Sequence, residues 1–170
     1  MHYECLQGMN RFVKEFLDTK QKLNILEVGS FNASKPEKDN IFRRYFRDNP
    51  NWKFTGIDII DGPNVDIVAK DPYNYEFYDN EFDVVISGNC IEHVADSHKM
   101  VKEIARITNN LVCIIVPAVR EYHGTKLWKD YWRVYPEAME FLLKDIAGLE
   151  ILKCKTIGNG IDTIGVGKKI

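Results

Sequence analysis

Residues 23–38 read LNILEVGSFNASKPEK. An apolar run ends at Glu27-Val28-Gly29 and the chain then turns polar, the pattern of a strand entering a ligand-binding loop. A dinucleotide fingerprint would need G-x-G-x-x-G here, to bring a pyrophosphate onto a helix N-terminus. Those three places hold Gly29, Phe31 and Ser34, and the Gly-Lys-Ser/Thr ending of a Walker loop is also missing. Pyrophosphate binding is therefore disfavoured. A ligand without phosphates asks for less: one close backbone approach, which Gly29 allows, and polar contacts to its charged and hydroxyl groups.

Acids and small polar residues stand where such contacts would come from. Glu27 is the last polar residue of the first strand, and Asp58 ends the next, KFTGIDII, where a carboxylate can accept both hydroxyl protons of a ribose. Asp71-Pro72 closes a third strand, VDIVAK. After a fourth, FDVVIS, comes SGNCIEHV over 87–94, in which Asn89 offers both a donor and an acceptor. The plainer reading of Glu27 and Asp58 is that of solvated strand-end acids.

The rest of the chain alternates. Leu6, Met9, Val13, Phe16 and Leu17 predict an amphipathic helix over 3–18. Ser34 as cap and Pro36 in the first turn predict a helix that buries Ile41, Phe42, Tyr45 and Phe46 and stops near Pro50. A helix from Asp96 or Ser97 to Ile107 turns Met100, Val101, Ile104 and Ile107 inward, and NLVCIIVPA is the fifth and most apolar strand. A helix, YPEAMEFLLKDIA, precedes two strands, LEILKCKTI and IDTIGVGK, joined by the hairpin signal Gly158-Asn159-Gly160. This order predicts an α/β fold: a Rossmann-like, mostly parallel sheet with helices on both faces and a C-terminal antiparallel β-hairpin. One domain over 1–170 is expected, with an N-terminal helix in 1–20 and the core over 23–168.

The 170 residues carry a formal charge of −2, with 45% hydrophobic and 12% aromatic residues, which fits a packed globular domain and leaves no basic footprint for nucleic acid. Four widely spaced cysteines without C-x-x-C pairing read as reduced thiols. No metal site is expected. The longest apolar stretch, LVCIIVPAV, is too short to span a bilayer, and MHYECLQGMNRF lacks a signal-peptide core, so a cytoplasmic protein is expected.

With E-V-G after strand one, G-I-D-I ending strand two, D-P after strand three and F-D-V-V-I-S-x-x-x-I-E-H-V after strand four, the chain resembles the class I S-adenosylmethionine-dependent methyltransferases. The likeness covers about residues 23–168 and is strongest to the small type 11 branch. It implies S-adenosylmethionine as cofactor and S-adenosylhomocysteine as product. It also implies a cofactor set: Glu27 and Gly29 near the methionine amino group, Ser30 and Phe31 in the loop beneath, Asp58 with Ile59 at the ribose, Asp71 with Pro72 at the adenine, and Gly88 with Asn89 at the methionine end. The departure is the loop, which lacks the family's G-x-G-x-G; Ser30 or Asn32 would supply its hydrogen bonds.

Methyl transfer to a hydroxyl calls for a base, and histidine titrates in the useful range. His93, after strand four, and His123 are the catalytic candidates, with Glu92 the alternative inward group and helix packing the plainer role of His93. His98 reads as surface. The long aromatic loop 120–142 suits a sugar or small ring, and by resemblance Asp130 and Arg133, with Tyr122 nearby, would shape the acceptor pocket or its lid. A structural Asp–Arg pair, with tryptophans closing the core edge, is the competing reading. The expected activity is methyl transfer to a small-molecule or saccharide acceptor, at oxygen. D/N-P-P-Y and Pro-Cys, the marks of amide-nitrogen and cytosine-C5 chemistry, are absent. The alternative is a catalytically weak methyltransferase-fold subunit that binds or regulates a partner, and a dehydrogenase stands third. A short chain with little cap also suggests a homodimer or a partner subunit completing the site.

Overall fold

The structure is a computed structural model that describes residues 3–33 and 41–170. Helix α1 spans Tyr3–Phe16, α2 Ser97–Ile107 and α3 Pro136–Glu140. The strands are β1 Leu23–Val28, β2 Trp52–Asp58, β3 Ile67–Val68, β4 Phe82–Gly88, β5 Thr108–Pro117, β6 Glu150–Ile157 and β7 Asp162–Lys168. They form one sheet in the order β3-β2-β1-β4-β5-β7-β6, parallel from β3 to β5 and antiparallel at β7 and β6. The predicted fold class is the one found.

Both faces of the central strands are covered, which is why β4 and β5 read as almost continuous apolar runs. Period-2 alternation sends Leu26, Val28, Val85, Val112 and Ile114 to one face, against Met100 and Ile104 of α2 and Met139 of α3. The other face carries Ile25, Val84, Ile86, Cys113 and Ile115 against Met9 and Phe12 of α1 and Phe42 and Phe46. Burying each of these large side chains is worth roughly 1.5–3 kcal/mol. Helix α2 starts where Asp96 Oδ1 accepts the Lys99 N–H at 3.0 Å, and its four predicted inward residues are all buried.

Three expectations are corrected. In place of a helix stopping at Pro50 there is a single 3₁₀ turn, Phe42–Tyr45; Ser34 and Pro36 lie outside the described residues. The third strand shrinks to Ile67–Val68, because only β2 pairs with it at the sheet edge and both side chains are exposed. The last helix is α-helical only to Glu140 and continues as a π-helix over Phe141–Ile146, ending before Gly148 at φ +70°. The hairpin connection is as expected: Gly158, Asn159 and Gly160 all adopt positive φ.

Gly165 of β7 lets α3 sit close. A Cβ there would lie 2.5 Å from Met139 Cγ and 2.7 Å from Leu143 Cδ1. Gly165→Val should lower urea-denaturation stability by about 1–3 kcal/mol, and adding Met139→Ala should cost less in that background than in the wild type.

Candidate active site

The strand order reverses between β1 and β4, and a cavity of about 490 Å³ opens beyond their carboxyl ends. That volume suits a drug-sized ligand. Gly29 begins its floor at φ +77°, where any Cβ would stand 2.3 Å from Cys90 Sγ. Glycine is needed twice there, for the left-handed backbone and for the approach of the loop after β4.

Asp58 ties the next two loops together. Its Oδ2 accepts the Phe31 N–H at 2.9 Å and its Oδ1 the Ile60 N–H at 3.0 Å. A carboxylate has about four acceptor sites, so each oxygen keeps capacity for a ligand hydroxyl. On the far side, Asn89 sits at φ +52° with its N–H donated to the Ile115 carbonyl at 2.9 Å, and both polar atoms of its side-chain amide are buried without a partner. A buried amide left unsatisfied at a cavity wall is the mark of a ligand contact.

The third wall is the loop between β5 and α3. Its backbone is pinned to the turn after β4: Tyr131 N–H donates to the Glu92 carbonyl at 2.7 Å, Trp132 Nε1–H to the Val94 carbonyl at 2.8 Å, and His93 Nδ1 to the Lys129 carbonyl at 2.6 Å. Arg133 braces it from behind, with both Asp130 oxygens at 2.6 and 2.7 Å and the Arg120 and Glu121 carbonyls at 2.9 and 2.8 Å. That guanidinium holds the Asp130 carboxyl far below its ordinary range. Asp130 Oδ2 in turn accepts the His123 N–H at 2.8 Å. The rings of His93 and His123 meet edge to face at 4.9 Å, and Trp128 lies 6.0 Å from His93 and 6.4 Å from Phe31. Burial lowers the His93 pKa, against the Lys129 carbonyl, which favours the charged ring. Glu92 is fully buried, and burial pushes its carboxyl up to about 8.

Of the expected cofactor residues, Gly29, Ser30, Phe31, Asp58 and Ile59 line this cavity, as do Pro72, Gly88 and Asn89. So do His93 and His123. Five other expected site residues stand elsewhere. Glu27 points under the loop, where its Oε2 accepts Asn64 Nδ2 at 2.9 Å, because strand alternation turns it away from the cavity. Asp71 folds back to accept the Tyr73 N–H at 2.8 Å, leaving Pro72 as the lining residue. Tyr122 is 70% exposed. Asp130 and Arg133 shape the loop from behind rather than facing the cavity, and Trp132 is exposed rather than closing the core edge. The lining also includes Cys90, Met100, Leu127 and Trp128, which were not singled out as site residues from the sequence. Only the aromatic density of the loop pointed towards Trp128.

Residues 39–114 match the family model described as a methyltransferase domain, of type 11. That match takes in somewhat less than half of the chain. No curated protein matches it. Among solved structures, this chain is similar to a chain of the Haloferax volcanii complex between the Trm112 methyltransferase activator and a putative methyltransferase. The TM-score is 0.71 at 16% identity, over 98% of this chain and 89% of that one. It is similar to the Burkholderia thailandensis 1,6-didemethyltoxoflavin-N1-methyltransferase, solved with its substrate and S-adenosylhomocysteine (TM-score 0.74, 13% identity, 97% and 78% covered). It is also similar to a SAM-dependent methyltransferase of Aquifex aeolicus (TM-score 0.68, 16% identity, 95% and 89% covered). The chain has no helix, among its described residues, long and apolar enough to cross a membrane.

Burial raises the Glu27 carboxyl from near 4.5 to about 8, against the opposing pull of Asn64 and Arg43. Between those values the folded state holds a proton that the unfolded chain has released, so stability should fall as pH rises from about 4.5 to about 8. Glu27→Gln keeps the Asn64 contact and should flatten that slope in urea titrations across the window.

Proposed function

We propose that this chain moves a methyl group from S-adenosylmethionine to a hydroxyl of a small-molecule or saccharide acceptor. The observation that carries the reading is the arrangement around the cavity. Asp58 and the unpartnered Asn89 stand where a cofactor needs hydroxyl and amino or carboxylate partners, and two histidines stand on the wall where an acceptor would enter. When bound, the cofactor supplies an electrophilic methyl carbon on a sulfonium. Asp58 would hold its ribose hydroxyls and Asn89 its methionine end, and Gly29 would let the backbone pass beneath it. Phe31, Leu127 and Trp128 exclude water, which matters because positioning and desolvation supply much of the rate of an in-line displacement. The acceptor oxygen forms the new C–O bond as the C–S bond breaks with its electron pair left on sulfur. The hydroxyl proton passes to Nε2 of His93 or His123. His93 Nδ1 faces the Lys129 carbonyl, which puts its ring proton on Nδ1 and its lone pair on Nε2; His123 Nδ1 lies between the Glu121 carbonyl, Asp130 Oδ2 and the Arg133 guanidinium.

A second reading, a weakly catalytic methyltransferase-fold subunit that serves a partner, is favoured by one observation. Val119, Tyr122, Leu127, Tyr131, Trp132 and Tyr135 are all exposed within one loop and its ends, beside the cavity mouth. The Haloferax volcanii structure pairs a related fold with an activator. A homodimer would cover the same loop.

Calorimetric titration with S-adenosylmethionine, S-adenosylhomocysteine and NAD should show micromolar binding of the first two and none of the third. Asp58→Ala should weaken binding by tenfold or more, since a lost hydrogen bond to a charged group costs about 1.5–3 kcal/mol. No binding of either adenosyl compound would sink the transfer reading. Given binding, His93→Ala and His123→Ala should cut turnover on a hydroxyl acceptor by about 10²–10⁴-fold with cofactor affinity within threefold of wild type.

A further inference from the structure

Glu92 follows β4 in the turn Ile91–His93, and His123 comes from the loop after β5. Glu92 Oε1 lies 3.7 Å from His93 Nε2 and 3.9 Å from His123 Nε2, and one potential ligand atom from each residue lies within 4.8 Å of the other two. Two ligands held at about 2.1 Å by a tetrahedral ion stand about 3.4 Å apart, so small side-chain adjustments bring the three onto one ion.

Two further features distinguish this cluster from a chance meeting of polar groups. Glu92 is fully buried, yet neither of its carboxylate oxygens has a hydrogen-bond partner among the described residues; the Asn89 amide approaches without a bond of ordinary geometry. A buried carboxylate in that state asks for a cation or a proton. Both imidazoles are also oriented from behind. His93 Nδ1 is held by the Lys129 carbonyl, and His123 Nδ1 faces the Glu121 carbonyl and Asp130 Oδ2, each at 3.2 Å. For His93 this second layer fixes the tautomer that leaves Nε2 free to ligate, as it does around histidines that bind metals, while the Arg133 guanidinium also stands 3.4 Å from His123 Nδ1.

We infer that Glu92, His93 and His123 form a binding site for one divalent transition-metal ion, open towards the cavity. Two imidazoles and one carboxylate suit Mn²⁺, Fe²⁺, Co²⁺ or Zn²⁺ better than the all-oxygen surroundings that Mg²⁺ and Ca²⁺ prefer. Three protein ligands leave coordination positions free, and both histidines line the cavity, so those positions face the acceptor. This rests on the proposed transfer to oxygen and narrows it: the acceptor presents a hydroxyl, or a pair of neighbouring hydroxyls, as a ligand to the ion. One nitrogen cannot both hold the ion and take the proton. With the ion bound, the hydroxyl proton leaves to bulk water and the histidines serve as ligands.

The test uses the full chain, stripped with a chelator and titrated with Co²⁺, followed by visible absorbance, and with Zn²⁺, Mn²⁺ and Mg²⁺ by calorimetry. S-adenosylhomocysteine affinity and thermal unfolding are measured on every variant. The expected result is one Co²⁺ per chain with d–d absorbance in the visible, and Mg²⁺ weaker than Zn²⁺ or Mn²⁺. Ion affinity should fall by about 10–100-fold or more in His93→Ala, His123→Ala and Glu92→Gln, and stay unchanged in His98→Ala, whose side chain is exposed on α2. Asp130→Asn should weaken the ion through His123 by a smaller factor. No stoichiometric binding of any of the four ions, in a protein that binds S-adenosylhomocysteine, overturns the metal site and leaves the histidines as bases. Ion binding that persists in the His93→Ala/His123→Ala double variant also overturns it. Ion binding in a protein that does not bind S-adenosylhomocysteine upholds the site and removes the transfer reading instead.

Discussion

The close contact between Gly29 and Cys90 is the constraint on which the site depends. β1 and β4 are neighbours in a parallel sheet, so their carboxyl ends emerge side by side and the two loops that leave them must pass each other. They do so with no side chain at Gly29, because the Cys90 sulfur occupies the place where a Cβ would be. The left-handed turn at Gly29 then sends Ser30 to Ala33 along the cavity floor, and the Asp58 carboxylate fastens that floor to the end of β2. A second glycine would add backbone freedom that this loop replaces with hydrogen bonds: Gly29 and Ser30 donate to the Ile57 carbonyl and Asn32 to that of Pro63. The glycine-poor loop is thus held by its neighbours, which a phosphate-binding loop free to wrap its ligand is not.

The opposite wall is built on a different principle. The connection from β5 to α3 has few apolar anchors of its own, with Ala118 and Val134 its buried apolar residues. It is organised around one guanidinium. Arg133 gathers the Asp130 carboxylate and two backbone carbonyls, Asp130 holds the backbone of His123, and the turn after β4 receives the loop through the Glu92 and Val94 carbonyls. Removing Arg133 would free the segment that presents His123 and Trp128, without touching the cavity itself. A loop built this way is selected for where it places a few side chains.

Much of this was legible in the chain. The order of strands and helices follows from apolar periodicity, and the position of the cavity follows from the general rule for open parallel sheets. Asp58 and Asn89 could be named because one ends a strand and the other directly follows one, at the carboxyl edge of the sheet. Glu27 shows the limit of the same argument. It also ends a strand, but the side it faces depends on register with β2, and there Asn64 waits beneath the loop. Asp130 and Arg133 form the ion pair that the competing reading of the sequence offered, and they brace the loop from behind.

The sequence by itself determined the α/β alternation, the two-faced burial of β4 and β5, the single glycine at the end of β1 and the carboxylates that follow the strands. These are local properties, set by the 2.0 and 3.6 periods of the backbone and by the chemistry of one residue and its immediate neighbours. Only the tertiary structure decided that Glu92, buried after β4, would meet two histidines from separate segments with both of its oxygens unpartnered. Nothing in their spacing announced it, because the meeting depends on how the β5–α3 loop folds over the sheet edge, and that is set by long-range hydrogen bonds to Arg133 and to the carbonyls of the turn after β4.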